Sequence, residues 1–283
     1  MPSIDDYDIG QLLGKGGFAC VYRARHRISG ENVALKVIAK SIAVAVVAGG
    51  HDANSISRVK NEISIHSQLR HSNIVRFMGC FEDDHNVYMI LELCNYGNMF
   101  QFLRRNGPLS ESIAVIVIQQ LILALEYIHE HGVVHRDLKL SNILLARPDI
   151  DISSSNDKSF IKICDFGLAI KKEHPDEEHY TLCGTPNYIA PEIASQHAHG
   201  YPADLWSIGC LFYSLVVGTP PFEKEKGREG EDSAHGNVKD TLQRILSGEY
   251  NEPVDKLSPT GVLFLRSLLH LVRALDGCLL MPL

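Results

Sequence analysis

Apolar residues recur with one period before about residue 94 and with another after it, and this change of period constrains the fold more than any other feature. In the first part, residues 7–13, 21–26, 33–38, 74–82 and 87–93 alternate or run apolar between Gly, Asn and Asp breaks, the pattern of β-strands. One helix interrupts them, with Val59, Ile63, His66 and Leu69 at helical spacing over residues 57–69. From Met99 onward helices dominate. Gly107-Pro108 precedes Leu109-Ser110, whose serine can cap an apolar helix running to about His131. Strands first and helices later define an α+β chain. The expectation is two lobes, a small β-rich one over residues 1–94 and a larger helical one over 95–283, connected through 94–98.

With 283 residues, 45% of them hydrophobic, the chain can bury a real core. Its formal net charge of −7 argues against bulk binding to nucleic acid or anionic lipid, which needs a basic excess. The seven cysteines stand singly, so neither zinc sites nor a disulfide framework is expected, and a reducing, cytoplasmic setting fits. The acidic N-terminus carries no secretory pattern. The apolar runs 113–125 and 205–217 are shorter than the roughly 20 residues a bilayer needs and read as buried helices. Residues 41–55, 149–159 and 223–237 have no period of their own and read as surface loops inserted between elements.

The chemistry lies in short motifs. Gly14-Lys15-Gly16-Gly17-Phe18-Ala19-Cys20-Val21 sits between two strand candidates, where a flap with accessible backbone N–H groups could cradle phosphates; an ordinary hairpin turn has the same composition. Lys36 ends an apolar strand, Val33-Ala34-Leu35-Lys36, and an unpaired ammonium there is costly to desolvate. It calls for anionic partners, phosphates and a helix carboxylate, for which Glu62 is the candidate. His135-Arg136-Asp137-Leu138-Lys139-Leu140-Ser141-Asn142 is more specific. Phosphoryl transfer needs a carboxylate to orient the attacking hydroxyl, a cation near the moving phosphoryl and oxygen ligands for Mg²⁺. Asp137, Lys139 and Asn142 offer these from one loop, and Asp165-Phe166-Gly167 supplies Asp165 as a second metal ligand. Gly184-Thr185-Pro186-Asn187-Tyr188, Ala190-Pro191-Glu192 and Asp204-Leu205-Trp206 follow in order.

On these motifs the chain resembles the eukaryotic protein kinase superfamily over roughly residues 7–270. Ala19 in place of a third glycine, Glu178-His179-Tyr180-Thr181-Leu182-Cys183 and Ala198-His199-Gly200 resemble the polo-like kinases, in particular the Sak-type, polo-like kinase 4 branch. The resemblance implies a bilobal kinase fold, ATP with Mg²⁺ and transfer of the γ-phosphoryl to Ser or Thr of protein substrates. It implies ATP contacts from Leu13, Gly14, Gly16, Val21, Ala34, Lys36, Leu91, Glu92, Cys94 and Leu144, with Leu91 as gatekeeper. The catalytic set is Asp137, Lys139, Lys36 and Glu62, and the metal ligands are Asn142 and Asp165. Thr181 becomes the activation-loop phosphosite, paired with Arg136, and Thr185 a substrate-loop residue. His66 and Cys164 read as buried core residues. A role at the centriole or centrosome follows by family analogy; the oligomeric state is not readable.

Two departures bear on the outcome. The spacing from Lys36 to Glu62 is enlarged by the Ala/Val/Gly stretch, at a loop-closure cost that grows slowly with length. After Leu268-Leu269 the family pattern fades, an arginine expected to pair with Glu192 aligns near Asp276, and the C-terminal lobe reads as cut short. A non-catalytic ATP-binding scaffold and an inactive fragment are the rival readings. Lys36, Asp137 and Asp165 all being present favours the enzyme.

Overall fold

The alternating segments become five antiparallel strands: β1 (Tyr7–Lys15), β2 (Ala19–His26), β3 (Asn32–Ala39), β4 (Phe77–Glu82) and β5 (Asn86–Glu92), in sheet order β1-β2-β3-β5-β4. This computed structural model describes residues 2–16, 19–40, 55–148, 159–174, 177–223 and 238–270, leaving aside the side chains of 55 and 56. Gly17, Phe18, almost all of the three expected insertions and the stretch around Asp276 lie outside the described residues. The chain divides into two compact units. The first comprises residues 1–99, 123–135 and 141–171, the second 100–122, 136–140 and 172–283.

In the first unit the period of two sorts β3 between two cores. Val33 and Leu35 join Tyr7, Ala24, Tyr88 and Ile90 on one face. Ile38 joins Phe77 and Met89 on the other, where Val59 and Ile63 of α1 (Ser55–His66) pack. Each such side chain, fully buried, contributes about 1.5–3 kcal/mol. Helical spacing therefore does what the sequence implies: it lays α1 on the face that also carries Lys36. Two short pairs complete the unit, β6 (Val133–Val134) with β9 (Ile170–Lys171) and β7 (Ile143–Leu145) with β8 (Ile161–Ile163).

The second unit is helical. Its elements are α2 (Met99–Asn106), the start of α3 (Glu111–Glu130), α4 (Pro191–Ala194), α5 (Tyr201–Val217), α6 (Val238–Ser247) and α7 (Pro259–Leu268). Ser110 stands at the N-cap position of α3, its carbonyl accepting from the Ala114 N–H. The helix is longer than the apolar run that announced it: at 20 residues α3 is long and apolar enough by length and composition to cross a membrane. The expectation of too short a run is corrected here. Polar Glu111, Glu126 and Glu130 extend the helix beyond the apolar stretch, and the buried stripe of Ala114, Val117, Ile118, Leu121, Leu125 and Ile128 is that of a core helix. α5 is buried nearly all round. Within the unit the Glu111 carboxylate accepts from both the backbone N–H (2.8 Å) and the hydroxyl (2.7 Å) of Ser258, which itself caps α7 through the Gly261 N–H.

Candidate active site

Register in the sheet decides which side chains share a face. Directly opposed residues of antiparallel strands point the same way, and Lys36 lies opposite Val21 on one side and Met89 on the other, while Ala34 lies opposite Leu91. Val21, Ala34, Lys36 and Leu91 therefore occupy one face. Gly14 pairs with Val21, and the Gly16 N–H donates to the Ala19 carbonyl at 2.8 Å. Among the described residues a Cβ at Gly14 would meet nothing within 4 Å, and at Gly16 it would meet only the Ala19 carbonyl oxygen at 3.7 Å. Packing against the described residues therefore demands glycine at neither position.

Lys36 has found the partners its burial requires. Its ammonium donates to Glu62 Oε1 at 2.6 Å and to Asp165 Oδ1 at 3.0 Å. Burial disfavours its charge, yet the two carboxylates outweigh that and hold its pKa above the ordinary lysine value. Burial also raises Glu62, with Lys36 pulling the other way. Asp165 is held below the usual carboxylate range, chiefly by Lys36, and its side chain remains 47% exposed, so an oxygen is open to a solute. Asn142 stands beside this group: its carbonyl accepts from the Cys164 N–H at 3.0 Å, where β7 and β8 pair. Leu144 lies two pairs further along, opposite Lys162.

Behind Asp165 runs an aromatic stack. Phe166, fully buried, lies 4.7 Å from the ring of His66 and 5.0 Å from that of His135, and His66 continues to Phe77 at 5.7 Å. His66 Nε2 donates to the Val75 carbonyl at 2.6 Å, which leaves Nδ1 as a buried lone pair without a partner among the described residues. Burial, opposed by that hydrogen bond, drives the His66 pKa down to about 4. His66 and Cys164 are thus the core residues expected; burial pushes the Cys164 thiol well above its ordinary value.

The connector region belongs to the same unit. The Glu92 carboxylate accepts from Lys162 at 3.1 Å and from the Arg76 N–H at 3.1 Å. Lys162 also donates to the Ser72 carbonyl at 2.9 Å. The Glu92 N–H is taken by the Arg76 carbonyl, whereas no backbone carbonyl among the described residues takes the Cys94 N–H. Leu13 is 44% exposed.

The second unit brings together Asp137, Lys139 and Thr185. Lys139 donates to Asp137 Oδ2 at 2.7 Å and to Thr185 Oγ1 at 2.8 Å, and the threonine hydroxyl donates to Asp137 Oδ1 at 2.8 Å, closing a ring. The loop is braced by Asp204, fully buried, which accepts from the Arg136 N–H at 2.8 Å. Arg136 itself holds φ +65°, and Gly184 holds φ +102° where a Cβ would lie 2.9 Å from the Arg136 carbonyl oxygen. Thr181 is exposed. Nearby in the loop, the His199 N–H donates to the His179 carbonyl at 3.0 Å, and His199 Nε2 lies 3.5 Å from a guanidinium nitrogen of Arg136. Glu192 is half-buried, burial raises its carboxyl pKa, and no cation pairs with it among the described residues; Asp276 lies outside them.

Sequence reasoning passed over Asp204 as a brace and Asn61 altogether. An acid inside the otherwise apolar run of α5 was the available signal for Asp204. Asn61, which donates to the Ala169 carbonyl at 2.9 Å, left none, because its partner lies 108 residues away.

A β-sheet unit in which a buried glutamate and a partly exposed aspartate share one lysine, with an Asp-Lys-Thr ring on a helical unit, defines the class of a phosphoryl-transfer domain. The family model described as protein kinase domain matches residues 7–274, and the chain belongs to the protein kinase family. Among curated proteins it is similar to the serine/threonine-protein kinase PLK4 of Xenopus tropicalis, 44% identical over 250 residues, 88% of this chain and 24% of that one. It is 43% identical over 252 residues to the protein of the same name from Nematostella vectensis, covering 89% and 23%, and 40% identical over 253 residues to that of Drosophila virilis, covering 89% and 29%. The chain thus spans about a quarter of the length of these relatives.

Proposed function

We propose that this chain is a Ser/Thr protein kinase domain that transfers the γ-phosphoryl of ATP to hydroxyls of protein substrates. The observation that carries this reading is the Lys36-Glu62-Asp165 network, a charged lysine kept on the face of the sheet that Val21, Ala34 and Leu91 share. Adenine is read as lying against those apolar side chains and Leu144, with the Glu92 and Cys94 backbones at its edge and Leu13, Gly14 and Gly16 over the phosphates. That no described residue crowds either glycine supports this, since it leaves room for a ligand's oxygens to approach the main chain.

Among the described residues no cluster of three or more His, Cys, Asp or Glu is placed to hold a metal. One carboxylate and one amide oxygen, Asp165 and Asn142, match the habit of Mg²⁺, which takes few protein oxygens and completes its shell with phosphate and water. When bound there, the ion supplies charge neutralisation on the phosphates. Asp137 accepts the proton of the substrate hydroxyl as its oxygen bonds to the γ-phosphorus, and the bond to the β,γ-bridging oxygen breaks to release ADP. Lys139 and Lys36 offset the charge on the transferring group, and Glu62 positions Lys36. Thr185, bonded to both Asp137 and Lys139, supports Ser/Thr as acceptor, and Thr181 is read as the phosphosite that Arg136 would bind.

In this proposal the lobes are residues 1–94 and 95–283, and the resemblance to polo-like kinase 4 points to a cytoplasmic, centriolar address. The test is transfer of labelled γ-phosphate to a casein-type substrate. Asp137→Asn and Lys36→Met are each expected to lower the rate at least about a hundredfold. In the same assay Thr181→Ala falls well below wild type while Thr181→Asp retains part of the rate. Wild-type incorporation no greater than that of Asp137→Asn would overturn the catalytic reading in favour of a nucleotide-binding scaffold.

A further inference from the structure

Helix α1, the turn after it and Lys36 of β3 tie down the segment 165–171 at four points. Glu62 reaches Asp165 through Lys36, at 2.6 and 3.0 Å, and the His66 ring lies on Phe166 at 4.7 Å. Gln68, in the turn just after the helix, accepts from Lys171 at 2.9 Å. The remaining contact is the Asn61 side-chain amide, which donates to the Ala169 carbonyl at 2.9 Å. Charge pairing accounts for the first contact and aromatic packing for the second. Asn61 has neither reason. It is solvent-facing, and asparagine is a mediocre helix former because its side chain competes for backbone hydrogen bonds.

Its value lies in what it holds. Asp165 has φ +66°, a left-handed conformation that costs a non-glycine residue free energy and persists only where the flanks are fixed. On the N-terminal side the flank is fixed by the Cys164 N–H on the Asn142 carbonyl. On the C-terminal side the chain turns, with the Ala169 N–H on the Phe166 carbonyl, before Ile170 and Lys171 pair with Val134 and Val133. Asn61 takes the carbonyl at the end of that turn, one helix position from Glu62. Gly167 sits between them so closely that a Cβ there would lie 3.3 Å from Asp165 Oδ1 and 3.5 Å from Glu62 Oε2.

We propose that Asn61 is a positioning residue for phosphoryl transfer: its amide fixes the turn after Asp165 on α1, and so holds the Asp165 carboxylate against Lys36. This rests on the kinase reading, so the test needs a second readout. Asn61→Asp keeps the shape, removes the donor and sets an oxygen against the Ala169 carbonyl; Asn61→Gln restores a donor. Expected for Asn61→Asp are a kcat about tenfold lower, with KM for ATP within about twofold because the adenine face of the sheet is untouched, and amide hydrogen exchange in residues 165–171 about tenfold faster. Exchange in the β-sheet peptides stays as in wild type, and Asn61→Gln regains part of both losses.

Asn61→Ala is the control for a purely structural role. Alanine is the better helix former, so a role confined to helix stability predicts an equal or firmer fold with normal kcat and exchange. Wild-type exchange in 165–171 for both Asn61→Asp and Asn61→Ala overturns the proposal, as does faster exchange spread evenly over the sheet. Should the wild-type chain itself fail to transfer phosphate, the kinase reading falls, and the exchange of 165–171 still decides whether Asn61 fixes the segment.

Discussion

Strain and burial concentrate on few side chains in this molecule. Arg136 and Asp165 both adopt left-handed backbone, one beside Asp137 and the other beside Phe166, in the two motifs read as chemical. His66 stores a different cost. Its buried ring stays neutral, with a pKa near 4, against an ordinary value of about 6.5 in the unfolded chain. Between those limits the unfolded state binds the proton and the folded state does not, so stability falls as pH falls, by about 1.4 kcal/mol per unit. Above pH about 6.5 the effect vanishes. His66→Leu, measured by urea denaturation at pH 6.5 and 4.5, is expected to show a shallower loss than wild type by about 2 kcal/mol or more. Equal losses would mean that His66 is protonated in the fold. From the sequence His66 was legible as a core position through its helical spacing. That its ring would lie on Phe166 was not, because the spacing says which face is buried and not which distant ring arrives there.

Among elements, the pattern of apolar residues carried furthest where each element buries one face. The strands of the sheet and α1 lie close to their expected positions because period two and period 3.6 cannot be exchanged without exposing the core. Lys36 with Glu62 was legible for the same reason: a buried ammonium must have an anion, and α1 offered one. The Asp137-Lys139-Thr185 ring, by contrast, closes over 46 to 48 residues and depends on how the loop after β9 returns. Nothing local encodes that return. Close helix packing was equally hidden. At Gly209 in α5 a Cβ would stand 2.8 Å from Leu269 Cδ2 and 2.9 Å from Leu268 Cβ, which is fixed to the backbone. Gly209→Ala gains up to about 1 kcal/mol of helix propensity but forces a main-chain shift costing about 1–3 kcal/mol. With the full propensity gain, net destabilisation of up to about 2 kcal/mol is expected, read as a lower denaturation midpoint with an unchanged slope. An unchanged midpoint would show that the end of α7 gives way freely.

At the scale of the whole molecule, the residues proposed for nucleotide and metal all belong to the first unit, whereas Asp137, Lys139, Thr181 and Thr185 belong to the second. Binding and catalysis should therefore separate by mutation. A ligand at a hundred times its Kd adds about 2.7 kcal/mol to the folded state, which for a chain of this size corresponds to about 5 °C or more in Tm. Mg·ATP is expected to raise the wild-type Tm by that amount, and Asp137→Asn by nearly the same, although transfer is lost. Asp165→Asn should behave in the opposite sense. Its side chain is 47% exposed, so the unliganded Tm should fall little, but the shift with Mg·ATP should shrink by half or more as a metal-binding oxygen is replaced. Thermal melts of the three proteins with ATP alone and with Mg·ATP make the comparison. Equal shifts for Asp165→Asn and wild type would remove Asp165 from metal binding. A shift lost in Asp137→Asn would show that the second unit also holds the nucleotide.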